Sequence, residues 1–320
     1  MPTMLFVSVG FIAANTAALR SAVALITLLT DLPLGQLILN GLALGSLYAL
    51  TAFGIVLIYK TTDILTFAQG ETAMFSTFVA FTLLTILQLP FALAFFLTLV
   101  FAVLLGIAID RFVLRYVDQT TILNPVIVTV GLNLVLYGLA GWIWGYETRT
   151  FPAPISGPPL QFAGLTLSRI NALILVVVLV LMVGIFAFFR YSLTGVAMRA
   201  VAQNRLAARL MGIRVGGINA LGWGLGTMLG AVTGMLIAPL NYLDPAMMGD
   251  VAIKAFAAAV VGGITSLPGA VVGGLLLGVI DSIVGFTVPE LRTSIAFALL
   301  LLMLVIRPGG LFGQRAVKKV

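Results

Sequence analysis

The stretch QLILNGLALGSLYALTAFGIVLIY, residues 36–59, runs its whole length without a charged side chain. A bilayer's hydrocarbon core is crossed by about 20 apolar residues in helical conformation. This stretch therefore reads as a membrane span. Outward from it, apolar windows of similar length recur at 71–88, 91–110, 123–145, 169–189, 217–239, 267–286 and 291–306, making eight core spans. A further apolar piece, Val251 to Gly263, is too short to cross comfortably and runs into GGITSLPG. It reads as a short or broken helix turned toward the protein interior, where irregular backbone at membrane depth is tolerated.

Composition agrees. Of 320 residues, 61% are hydrophobic and 8% charged, against roughly 25% charged in soluble domains, so the chain cannot clothe a globule with solvated surface. No polar block is long enough for a separate soluble domain, which leaves one membrane domain over residues 35–320 and an extension over 1–34. The extension is apolar apart from Arg20 and Asp31, with no basic region ahead of Met4 to Leu19. It is expected to form an extra membrane or interfacial helix rather than a standard signal peptide.

The net charge of +7 comes from single basic residues between spans, without Lys/Arg tracts interleaved with aromatics, so it points to membrane topology and away from nucleic acid. Arg111, Arg115, the segment Arg190 to Arg214, Arg307, Arg315, Lys318 and Lys319 are expected in the cytoplasm, the C-terminus with them. Residues 146–168, with the proline-rich PAPISGPP, and Asn241 to Asp250 are expected outside as ordered non-helical loops. Cysteine and histidine are both absent, which excludes thiol catalysis, thiolate or imidazole metal sites and histidine proton relays. No metal site is expected.

Glycines recur every fourth residue at Gly222, Gly226, Gly230 and Gly234, and in the pairs Gly41/Gly45, Gly269/Gly273 and Gly274/Gly278. Such ridges let backbones approach closely. Tight packing explains them, and so would helices that glide past one another.

Two polar clusters interrupt the apolar pattern. In KTTDILTFAQGE, residues 60–71, Glu71 either caps a helix start at the interface or faces a polar cavity. Asn40, Gln69 and Asn133 are the uncharged candidates for a pathway lining, although bonds between helices are the commoner fate of such amides. The second cluster is RYSLTGVAMRAVAQNRLAARLMGIR, residues 190–214, with five arginines and no acid. Ala, Leu, Met and Arg favour a single helix from Ser192 to Met211, stopped by Gly212. Leu206 and Leu210 share a side with Arg199, so no wide apolar face forms for lying on a membrane. Small residues for close approach and arginines for a partner's carboxylates fit a docking element. Charges on an ordinary cytoplasmic loop would give the same composition.

The string GVAMRAVAQNRLAARLMGI (195–213) resembles the cytoplasmic coupling segment of permease subunits in the branched-chain amino acid family of bacterial and archaeal ABC importers. NGLALGSLYALTAFGIVLIY followed by ILTFAQGE resembles that family's first core helix and its Asn-Phe-Ala-His-Gly-Glu motif, with Gly70 and Glu71 matching. KAFAAAVVGGITSLPGAVVGGLLLG (254–278) resembles its carboxy-terminal signature. Thr66 stands where the family usually has asparagine and Gln69 where it often has histidine. Residues 1–30 have no counterpart in the usual short permease.

The resemblance implies an all-α polytopic permease in the plasma membrane, the inner membrane of a bacterium. It would have about eight core transmembrane helices, a short broken helix and a cytoplasmic coupling helix at 192–212. Its implied partners are a related second permease or another copy of this chain, two cytoplasmic ATPases and an extracytoplasmic substrate-binding protein. The implied substrates are branched-chain or other neutral amino acids; relatives carry urea, short amides or aromatic acids. ATP with magnesium would sit on the ATPases, this chain binding no cofactor and catalysing nothing; it contains no GxxxxGK[ST] phosphate loop. In that reading Arg199, Gln203, Asn204 and Arg209 contact the ATPase, while Gly195, Ala200, Ala207 and Gly212 allow close seating. Asn40, Gln69, Gly70, Glu71 and Asn133 are the pathway or motif residues. An ion-coupled carrier would instead need an ionisable residue deep in the membrane, whereas Asp110, Asp281 and Glu71 fall near predicted span ends. A membrane enzyme lacks a plausible catalytic centre.

Overall fold

The computed structural model describes residues 33–313 apart from 118–120, 122, 156 and 163. The expected helix within residues 1–30 lies outside the described residues. The chain builds an all-α bundle: α1 (Leu34–Thr62), α2 (Gln69–Thr85), α3 (Phe91–Ala108), α4 (Leu123–Trp144), α5 (Arg169–Tyr191), α6 (Leu193–Gln203), α7 (Arg205–Leu210), α8 (Val215–Asn241), α9 (Gly249–Gly262), α10 (Leu267–Thr287) and α11 (Arg292–Ile306). A π-turn and a 3-10 turn carry α3 on to Tyr116. Among the described residues seven helices are long and apolar enough to cross a membrane. The expected span at 71–88 is α2, a 17-residue helix, and the expected short piece is α9, with 14 residues. The protein is therefore a multi-pass membrane protein.

One feature adds detail to the sequence-based expectation and one differs from it. The proline-rich connection is non-helical and contains a short hairpin: β1 (Leu160–Phe162) and β2 (Leu165–Leu167) pair antiparallel around Gly164, whose positive φ suits the turn. Gln36 at the start of α1 holds this hairpin, donating to the Thr166 carbonyl at 2.6 Å and accepting from the Thr166 amide at 2.9 Å. The segment from Ser192 to Met211 is two helices, broken at Asn204 with φ −156° and ψ 105°. Propensity favoured continuity, but an asparagine can bond the backbone as a cap, and here its Oδ1 accepts from the Ala207 amide at 3.0 Å to start α7. Such a cap is worth about 1 kcal/mol.

The bundle contains an inverted repeat. Helix α1 runs from the hairpin end to the end bearing α6 and α7, and α8 runs back. After each, the chain turns into the bundle and starts a short helix, α2 or α9, before returning through α3 and α4 or α10 and α11. The contacts obey the same exchange: α1 packs along α10 as α8 packs along α3, and α9 leans on α1 as α2 leans on α8.

The glycine ridges make these contacts. A Cβ on Gly45 would lie 2.9 Å from the Gly274 oxygen and the Leu275 Cα, and one on Gly41 2.7 Å from the Val279 Cα, so α1 and α10 meet backbone to backbone. On α8, Gly226 faces Ile58 and the Gly54 carbonyl of α1, whereas Gly230 and Gly234 face Gln69, Ala73 and Thr77 of α2. Helix association in lipid depends on this close van der Waals contact, because lipid tails are as apolar as the side chains. The tight-packing reading of the ridges accounts for what is seen.

Candidate functional site

The turn from α1 into α2 sets up the first site. Asp63 ends α1 in the left-handed conformation, and residues 64–68 then climb back into the bundle. Gln69, the first residue of α2, lies beside Gly54 of α1 and donates its Nε2 to the Gly226 carbonyl of α8 at 2.8 Å. Gly54 precedes the end of α1 by eight residues, which places the start of α2 about 12 Å inside the bundle.

Non-helical backbone at that depth needs partners. The Phe67 amide donates to Thr129 Oγ1 at 3.4 Å, Asn133 Nδ2 donates to the Phe67 carbonyl at 3.3 Å, and the Ala68 amide donates to Thr66 Oγ1 at 3.2 Å. Thr66, which occupies a position where the resembled motif has asparagine, thus holds the turn.

Related by the inverted repeat, residues 242–248 turn back with Leu243, Met247 and Met248 buried, and α9 starts at Gly249. The two helix starts touch: a Cβ on Gly70 would come within 2.8 Å of the Ala252 side chain and 3.5 Å of the Met248 carbonyl. Neither start has a side-chain cap, so first-turn amides at both lack a partner within their own helix.

A cavity of about 690 Å³ opens at this meeting point. Gln69, Gly70, Glu71 and Gly249 line it at the helix starts, with Asn133 and Val130 from α4 and Phe67, Phe256, Phe297, Leu300 and Leu301 as an apolar wall. Four of the five expected pathway residues, Gln69, Gly70, Glu71 and Asn133, are therefore brought together. Asn40 is not: it accepts from Gln36 Nε2 at 3.3 Å near the hairpin, one turn away on its own helix. Glu71 does not cap at an interface. It is 8% exposed, lines the cavity, and its Oε2 has no hydrogen-bond partner; Gln69 Oε1 has none either. Buried polar atoms without partners are costly, so those at a cavity wall mark where a ligand can add a bond.

Behind α9 lies a cluster that sequence reading missed. Lys254, 3% exposed, pairs with Asp281 at 2.9 Å and Asp250 at 2.7 Å. Tyr48 donates to Asp281 at 3.0 Å, Arg292 stands 3.6 Å from it, and Thr293 donates to Asp250 at 2.7 Å. Asp281, expected near a span end, is 5% exposed and faces the helices around it. The cluster ties α9 to α1, α10 and α11. Only Lys254 within an otherwise uncharged run hinted at it, since a lone buried ammonium requires an acid.

The second site is the surface of α6 and α7. Ser192 Oγ accepts from the Gly195 amide at 2.9 Å to begin α6. On its buried side Met198, Val201 and Ala208 pack with Val215 and Ile218 of α8. Outward stand Arg199, Gln203, Asn204, Ala207, Arg209 and Gly212, together with Leu206, Leu210 and Met211 at 68%, 80% and 82% exposure. Ala200 is half-buried; Gly195 is turned inward against Phe188 and Phe189, so its smallness serves packing within the chain. Gly212 has φ +82°, which glycine adopts without strain as the segment ends. Arg205, absent from the expected set, pairs with Asp63 at 3.0 Å and donates to the Thr61 carbonyl at 2.7 Å. It fastens α7 to the turn that leads into the cavity.

A membrane bundle with an inverted repeat, a polar-floored cavity where two short helices meet, and an exposed basic and apolar helix pair at one end belongs to the transport permeases. The profile of the family described as "Branched-chain amino acid transport system / permease component" matches residues 37–305. The chain is 31% identical to the high-affinity branched-chain amino acid transport system permease protein LivH of Salmonella typhimurium over 299 residues, covering 89% of this chain and 97% of that one. It is 33% identical to the permease protein BraD of Pseudomonas aeruginosa, with the same coverage, and 28% to a probable LivH of Methanocaldococcus jannaschii, covering 81% and 84%. The chain belongs to this family of permease components.

Proposed function

We propose that this chain is one permease subunit of an ATP-driven importer of branched-chain amino acids. Alignment with LivH- and BraD-type permeases along nearly their whole length carries the proposal. The cavity is the chain's share of the pathway: its apolar wall suits an aliphatic side chain, and its polar floor suits the charged groups of an amino acid. A second permease, related or identical, closes the open side, and an extracytoplasmic binding protein supplies substrate from the hairpin end.

The pair α6–α7 faces the cytoplasm, as its arginines require, and seats in an ATPase with Arg199, Gln203, Asn204 and Arg209 at the contact. ATP-driven closure of the ATPases pushes on α7, and the Arg205–Asp63 tie carries that displacement to the turn at 63–68 and so to Gln69–Glu71. The C-terminus lies on the same side. Purification from the native membrane tests the assembly: two ATPases should accompany the chain, and recovery of a self-contained oligomer that takes up leucine without ATP would replace this reading with an ion-coupled carrier.

A further inference from the structure

The geometry points to a built binding site for a zwitterionic α-amino acid inside the permease, with Glu71 receiving the ammonium and the opposed start of α9 receiving the carboxylate. This rests on the transport reading above and gives the permease its own selectivity, beyond any exerted by a separate binding protein.

Three observations converge. Glu71 is a carboxylate more than nine-tenths buried, on the cavity wall, with Oε2 unpartnered; the charge that satisfies it there is a cation, and no basic side chain lines this cavity among the described residues. The start of α9 has no side-chain cap and brings Gly249 to the same cavity; the Gly249 amide is bonded to the Ala246 carbonyl at 3.0 Å, and the partial positive charge of the helix end favours an anion there. Asp250, the acid in that first turn, would oppose this, but its two oxygens are engaged behind the helix by Lys254 and Thr293. That arrangement gives the ionic cluster a purpose: it fixes α9 and neutralises the acid at its tip. Opposite the polar floor stand Phe256, Phe297, Leu300 and Leu301, which would exclude water from an aliphatic side chain. Gly70 lets the two helix starts meet at this floor, since a Cβ there would come within 2.8 Å of the Ala252 side chain.

The native chain contains no cysteine, so Val130→Cys places a single thiol from this subunit on the cavity wall. In the intact assembly in nanodiscs, without the binding protein, L-leucine should slow alkylation of this thiol. Leucine lacking its ammonium (4-methylpentanoate) or its carboxylate (3-methylbutylamine) should protect at least about tenfold less well, the factor a charge-assisted hydrogen bond contributes to affinity. In Glu71→Gln, leucine protection should weaken by a similar factor, and Glu71→Asp should restore part of it. Equal protection by either truncated analogue overturns the site, as does undiminished leucine protection in Glu71→Gln. Should Glu71→Gln fail to assemble, the analogue comparison with Glu71 in place still decides. An assembly that takes up leucine while leucine gives no protection removes this site and leaves the transport reading; one that hydrolyses ATP yet takes up no leucine removes both.

Discussion

Removing the ammonium from the cluster behind α9, by Lys254→Met, should destabilise the bundle more than any exposed-charge substitution. Lys254 and Asp281 are 3% and 5% exposed and 2.9 Å apart. Breaking a buried pair from one side costs about 3–5 kcal/mol, because the abandoned charge keeps its desolvation cost without its partner. Arg292 at 3.6 Å and the Tyr48 hydroxyl at 3.0 Å would still address Asp281, while Asp250 is half exposed and can hydrate. These residual partners place the loss near the lower end, about 3 kcal/mol. At about 2 °C per kcal/mol for a large domain, the midpoint for loss of the monodisperse gel-filtration peak should fall by about 6 °C. The double variant Lys254→Met with Asp281→Leu leaves no buried charge in need of Lys254 and should recover more than half of that loss. A single-variant shift under about 1 °C, or a double variant that falls by the sum of the two single ones, would refute the reasoning.

Other outcomes follow from the remaining sites. Arg199→Glu, on the exposed face of α6, should cut ATP-driven uptake by about tenfold or more while ATP hydrolysis continues and the subunits still co-purify, since the reversal strikes a contact rather than the fold; normal uptake would remove Arg199 from the contact. Arg205→Ala breaks a pair whose side chains are 24% and 70% exposed, so thermal stability should change by no more than about 1 kcal/mol, yet leucine uptake per ATP hydrolysed should drop. Gly45→Val thrusts a branched side chain at the Gly274 and Leu275 backbone and should cost about 1–3 kcal/mol or more, read as lost yield of folded permease. Gly212→Ala, at φ +82° with open space around it, should cost only about 1 kcal/mol, visible as a small fall in the unfolding midpoint.

What the sequence disclosed and what it hid follow from the range of the forces involved. Spans are decided locally, by apolar length against bilayer thickness, so α1, α3, α4, α5, α8, α10 and α11 were readable to within a few residues. The glycine ridges announced close approach, but which ridge meets which depends on the inverted repeat, and that symmetry lives in packing rather than in residue identity. Gln69, Gly70, Glu71 and Asn133 could be nominated because polar residues in apolar surroundings demand a reason; their convergence needed the turn at 63–68 to re-enter the bundle. Lys254 and Asp281 belong to different helices, 27 positions apart, and nothing local pairs them. The break at Asn204 was missed because helix propensity summed over the segment outweighed one capping residue, while the cap won in the folded chain.

Reconstitution of the complete assembly in proteoliposomes, with ATP inside and labelled L-leucine outside, reads ATP-driven import itself. Leucine should accumulate, and its accumulation should require ATP, the ATPases and Glu71. Accumulation that persists without nucleotide, or ATP hydrolysis that never moves a branched-chain amino acid, would contradict ATP-driven import.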